Sequence, residues 1–144
     1  MIFRLIILAV AGFALYVRFA PSDASRWHVD PFDHPSGRDA GSYTHNQSEN
    51  ADLGFDLSDA DLMARVDAVV MATPRTVRLA GSVEDGHVTY VTRSKLWGFP
   101  DYTSVAVRMV GDKAQLAIYG RLRFGKSDMG VNQARIQSWL LALM

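Results

Sequence analysis

No cysteine occurs in the 144 residues. That absence excludes disulfides, thiolate metal sites and a cysteine nucleophile, and leaves the redox compartment open. An excess of one charge is also missing, because fifteen Lys and Arg balance fifteen Asp and Glu. No global field therefore argues for a nucleic-acid partner, and none is expected. Histidine is scarce, and His87 is the only one in the expected folded body, so Ser94, Ser104 and Ser127 have no evident base. There is no nucleophile elbow, phosphate loop or metalloprotease motif, and no cofactor is expected. His28, Asp30, Asp33 and His34, with His45 further on, are metal-binding residue types, but their spacing matches no metal motif. No metal site is assigned.

What is present begins with one long apolar run, Leu5 to Val17, bracketed by Arg4 and Arg18. Taken from Met1 to Ala20 it reaches the roughly 20 residues that a membrane span needs, provided both arginines snorkel. The rival is a cleaved signal peptide, with Ser22-Asp23-Ala24 as a small-x-small triplet. Arg18 directly after the run and Pro21 near the cut favour an uncleaved anchor. Charge asymmetry orients it weakly, since Arg4 is opposed by Arg18 and Arg26. A short N-terminal anchor of this kind most often leaves the bulk of the chain outside the cytoplasm. The expected organisation is a membrane anchor at 1–20, a juxtamembrane linker at 21–51 and a folded domain at 52–144.

The linker is polar and punctuated by Pro21, Pro31, Pro35, Gly37 and Gly41, with room for a short strand near Tyr43 and with Trp27 suited to the membrane–water interface. Within the body, Ser58 caps a helix whose apolar face is Leu62, Val66, Val69 and Val70, and which Thr73-Pro74 stops. Val77 and Leu79 alternate as a first strand. Asp85-Gly86 turns into a second over His87 to Ser94. Thr103 to Met109 form a third, and Leu116 to Phe124 a fourth after Gly111-Asp112. A last helix, with Asn132 as its expected cap, carries a stripe of Ile136, Trp139, Leu140 and Leu143. The expected fold is α+β: a two-layer structure of an antiparallel four- to five-stranded sheet with two helices on one face, plus an N-terminal transmembrane helix.

Two polar signatures stand out, TYVTRSKLWGFPDYTSV from Thr89 and RLRFGKSDMGVNQARIQSWL from Arg121. The second contains R-x-G-x-S-D-x-G-V-N-x-x-R, met by Arg123, Gly125, Ser127, Asp128, Gly130, Val131, Asn132 and Arg135. With TPRTVRLAGS from Thr73 and RWHVDP from Arg26, they resemble a bacterial family catalogued as a domain of unknown function, number fourteen ninety-nine. Leu122 stands where that family usually has a small hydroxyl residue. The resemblance implies a tethered or exported protein and transfers no activity; it supports the anchor reading, whose expected location is a single pass of the inner (cytoplasmic) membrane with the C-terminal domain outside.

The candidate ligand-binding set is Arg93, Asp101, Arg121, Arg123, Ser127, Asp128, Asn132 and Arg135. Tyr119, Arg121 and Arg123 alternate onto the face opposite Leu116, Ile118 and Leu122, and Arg108 and Arg93 can join them. A basic face of this kind suits a carboxylate or phosphate. The structural alternative is that Asp101 and Asp128 pair with these arginines and fix the loops. Trp97 and Phe99 either enter the membrane interface or fold over the edge of the core. The expectation is a membrane-anchored binding or accessory module for an anionic small molecule, lipid headgroup or protein partner. The alternative is a hydrolase or transferase built on Arg123, Asp128 and Asp101, so whether the chain is an enzyme stays open.

Overall fold

The structure is a computed structural model and describes residues 1–50 and 52–144. An apolar helix, α1 (Ile2–Phe19), leads through a short helix, α2 (Ala24–Trp27), and a 3-10 turn at Pro31–Asp33 into strands β1 (Gly37–Asp39) and β2 (Ser42–Asn46). Then come α3 (Asp59–Met71), β3 (Thr76–Ser82), β4 (His87–Arg93), β5 (Pro100–Val110), β6 (Lys113–Leu122) and α4 (Val131–Leu143). The strands form one antiparallel sheet in the order β1-β2-β6-β5-β4-β3. The α+β fold, the antiparallel sheet and the two helices on one face are as expected. The sheet has six strands rather than four or five.

The face against α3 and α4 is the apolar one. Period-two alternation sends Val88 and Tyr90 of β4, Val105 and Val107 of β5, and Leu116 and Ile118 of β6 toward the helices. There they meet Leu62, Met63, Val66 and Val70 of α3 and Ile136, Trp139 and Leu143 of α4, all buried. Ser58 caps α3 as expected, its Oγ accepting from Asp61 N at 3.0 Å. Asn132 does not cap α4. Gly130 precedes that helix in the left-handed region, and Asp128 accepts from Gly130 N at 3.0 Å and Asn132 N at 2.9 Å. A carboxylate one turn upstream thus meets the free N–H groups, where the helix dipole also favours an anion.

The described residues of segment 21–51, expected as a linker, are packed onto the sheet. β2 pairs along the β6 edge from Ser42↔Arg121 to Asn46↔Ala117. Trp27, expected at the membrane interface, is buried and stacks on Tyr102 at 3.9 Å between ring centroids. Beyond the apolar patch of Trp27 with Val91, Tyr102 and Leu79, polar bonds hold this segment. Asn46 Nδ2 donates to Phe32 O and His34 O, while Ser36 Oγ accepts from Asn46 N at 2.9 Å. The sheet's second face is thereby covered rather than left open as a basic surface.

At the N-terminus, α1 is long and apolar enough to cross a membrane, and most of its side chains lie away from the body. Val17 and Ala20, at its C-terminal end, are the residues of that stretch that become buried.

Candidate functional site

The eight candidate residues do not converge on one pocket. Asp101, Asp128, Asn132 and Arg135 lie together on the helix side. Arg135 donates to Asp101 Oδ2 at 3.1 Å and to Asn132 Oδ1 at 2.9 Å, and Asn132 Nδ2 donates to Asp128 Oδ2 at 2.8 Å. This chain of bonds ties β5, α4 and the turn before α4 together. Burial pushes the Asp101 carboxyl up, against the opposing pull of Arg135. The Asp128 carboxyl sits below its ordinary value; burial acts to raise it, and its bonds from Asn132 and Gly130 outweigh that. Ser127 is a turn residue whose Oγ accepts from Met129 N at 3.1 Å.

The three remaining arginines lie elsewhere, and none pairs with Asp101 or Asp128. Each donates to a main-chain carbonyl at the end of the apolar run or in the segment just after it. Arg93 Nη1 reaches Val17 O at 3.3 Å and Gly98 O at 2.9 Å. Arg123 Nη1 reaches Pro21 O at 2.9 Å and the Tyr102 hydroxyl at 3.1 Å, and that hydroxyl also meets Ser22 Oγ at 2.7 Å. Arg121 donates to Trp27 O and lies over the rings of Trp27 and Tyr119. Sequence alternation placed Arg121 and Arg123 on the correct face. It could not show that the partners would be carbonyls, because main-chain acceptors carry no sequence signature.

Arg121 is the most enclosed of the three, 9% exposed, and has no carboxylate partner among the described residues. Burial pulls its guanidinium down to about 10, so it stays charged at neutral pH. The delocalised fork is tolerated because its donors meet carbonyl and hydroxyl oxygens and its faces meet aromatic rings. Arg108, on the same face, pairs with Asp30 and lies over Phe32. His28 stacks on His87 and bonds the Thr89 hydroxyl at 2.8 Å, while His34 stacks on Tyr119. Among the described residues no group of three or more His, Asp or Glu side chains is placed to hold a metal ion.

A second cluster, mostly missed in the sequence, sits where α1 meets the sheet. Arg18, Arg75, Arg93 and Lys95 line a cleft of about 240 Å³ together with Val77, Ser94 and Gly98. None of the four cations forms an ion pair among the described residues. Arg75 follows Pro74 with φ 61°, a left-handed conformation that costs an L-residue about 1–2 kcal/mol. Its Nε donates to Arg93 O at 2.9 Å, which directs the side chain across the end of β4. Gly98, at φ 72°, supplies the left-handed turn that carries the loop past Arg18. Arg18 itself ends α1, where a cation complements the helix dipole. Only Arg93 of these four was a sequence candidate. The others are scattered over 78 positions of chain, and the fold alone brings them together.

The model of a family described as protein of unknown function (DUF1499) matches residues 30–143. No curated protein matches the chain.

Proposed function

The chain belongs to the DUF1499 family, and from its own geometry we propose that it is a membrane-anchored module that holds an anionic group at the foot of its span. In this reading α1 stays attached, the body lies on the extracytoplasmic side, and the cleft of Arg18, Arg75, Arg93 and Lys95 takes a phosphate or carboxylate. The observation that carries the reading is four cations around one small cleft, none with an ion-pair partner among the described residues. Like charges so close repel, and an anion bound among them removes that cost and gains charge-assisted hydrogen bonds. The arginine-to-carbonyl bonds at Val17, Pro21 and Trp27 support a fixed junction between span and body. Such a junction keeps the cleft at the level of the membrane surface. The set Arg123, Asp101 and Asp128, on which a hydrolase or transferase would rest, is divided between the two sides of the sheet.

The test is a thermal melt of the full chain in neutral detergent with sn-glycerol 3-phosphate, at constant ionic strength. Tm should rise with concentration in the wild type, as expected for a ligand that binds only the folded state. The rise should vanish in Arg18→Gln/Lys95→Gln. A flat titration in the wild type would reject the anion site. The absence of cysteine makes the topology equally testable. Asp112→Cys lies in the exposed β5–β6 turn, and an impermeant maleimide should label it in intact cells.

A further inference from the structure

Next to the cationic cleft lies a groove of opposite character. Ala9, Val10 and Phe13 of α1, with Trp97 and Phe99 of the β4–β5 loop, line about 450 Å³ with almost no polar surface. The loop is the shared wall. Gly98 faces the cleft while its neighbours Trp97 and Phe99 face the groove. It is held in shape by its own bonds: Gly98 N donates to Ser94 O at 3.1 Å, Phe99 N to Ser94 Oγ at 2.9 Å, and Ser94 N to Phe99 O at 2.9 Å. A row of rings, Phe13–Phe99, Phe99–Phe124 and Tyr16–Phe124, then fastens α1 to the loop and to the segment after β6.

We propose that cleft and groove are one site, and that its occupant is an anionic phospholipid. The phosphate headgroup lies among Arg18, Arg75, Arg93 and Lys95, and an acyl chain runs along Phe13, Trp97 and Phe99. This rests on reading the cleft as an anion site, and it adds what carries the anion. A free phosphate would account for the cleft alone. The groove has the candidate span as one wall, so wherever α1 lies in a bilayer the groove opens onto lipid chains. Phe13 lies roughly 9 Å along the axis inside the helix end at Phe19, at 1.5 Å per residue. That puts the groove below the headgroups and the cleft at their level. The loop tip fits the same placement, with Leu96 79% and Trp97 44% exposed and Lys95 beside them. An apolar tip flanked by a cation is the composition of a segment lying at the boundary of headgroup and acyl chain.

The deciding experiment is native mass spectrometry of the full chain released from neutral detergent. The probes are phosphatidylglycerol, phosphatidylcholine of the same chains, and sn-glycerol 3-phosphate. Phosphatidylglycerol should be retained about tenfold or more over phosphatidylcholine, given several cations at the headgroup. Trp97→Ser should weaken phosphatidylglycerol about tenfold and leave sn-glycerol 3-phosphate unchanged. Lys95→Gln should weaken both. Trp97 is exposed, so its variant should melt with the wild type. If sn-glycerol 3-phosphate binds as tightly as phosphatidylglycerol, or Trp97→Ser changes neither, the groove is unused: the lipid proposal is overturned and the anion site stands. Equal retention of the two lipids overturns the proposal from the headgroup side. If neither phosphate compound binds, the anion site and the lipid proposal both fall.

Discussion

The two faces of this sheet are built by different physics. Toward α3 and α4 the side chains are aliphatic and aromatic, and burial of apolar surface holds the layers together. Toward the N-terminal segment the apolar patch is small, Trp27, Val91 and Tyr102 with Leu79 against them, and arginines on carbonyls and small hydroxyls surround it: Arg121 with Trp27 O, Ser104 with Trp27 O. One face makes the body fold, and the other fixes where the body sits relative to its apolar helix. Polar closure of this kind also leaves charge over, and at the foot of α1 four cations have no ion-pair partner among the described residues.

The comparison breaks first by truncation. Removal of residues 1–51 deletes β1 and β2 and strips the β6 edge and the cover over Tyr102 and Arg121. A 52–144 chain should lose cooperative thermal unfolding, whereas 22–144 should keep it. A cooperative melt of the shorter chain would mean that the apolar face suffices alone. The next largest effect should come from emptying single aromatic sites. Trp139→Ala, on the helix face, should cost roughly 3–5 kcal/mol, and Trp27→Ala, on the other face, about 3 kcal/mol. Chemical denaturation of both variants checks the order.

The apolar face was legible because its pattern is written in side chains. Leu62 to Val70 repeat at helical spacing, and Val105, Val107, Leu116 and Ile118 alternate at strand spacing. β2 was legible only as a short strand near Tyr43 and β1 was not, because Gly-Arg-Asp and Ser-Tyr-Thr-His-Asn carry little apolar alternation. What orders them is edge pairing and the side-chain bonds of Asn46 and Ser36. The capping role of Asp128 was hidden for a related reason, since Asp and Asn cap helices about equally well and only the turn at Gly130 shows where the helix begins. The cationic cleft was hidden because Arg18, Arg75 and Lys95 have neither common spacing nor common element.

Smaller effects sharpen the contrast between paired and unpaired charge. On the helix face Asp67 accepts from Arg78 at 2.5 and 2.8 Å and from the buried Tyr90 hydroxyl at 2.8 Å. Asp67→Ala strands that hydroxyl and should cost about 2 kcal/mol. Arg121→Met should change stability by no more than about 1 kcal/mol. It removes a desolvated charge, and Trp27 O keeps its bonds from Ser104 and Val29. Two carboxyls should also titrate in opposite directions. The Arg78 bond holds Asp67 below its ordinary value, so its stabilisation is present above the unfolded value near 3.8 and lost as pH falls through the folded one. Burial holds Asp101 above that value, so its contribution is present at lower pH and lost as pH rises through the folded value. Carboxyl NMR should show the Asp101 midpoint above that of Asp67, and the reverse order would contradict the burial assigned to each.

The most direct test of the division into paired and free cations is side-chain NMR of the arginine Nε–Hε groups. The sample is the full chain in neutral micelles, titrated with sn-glycerol 3-phosphate. The signals of Arg18, Arg75 and Arg93 should move and saturate, while those of Arg78 and Arg135, held by Asp67 and Asp101, should stay in place. Silent signals at the foot of α1, or equal movement at the paired arginines, would contradict it.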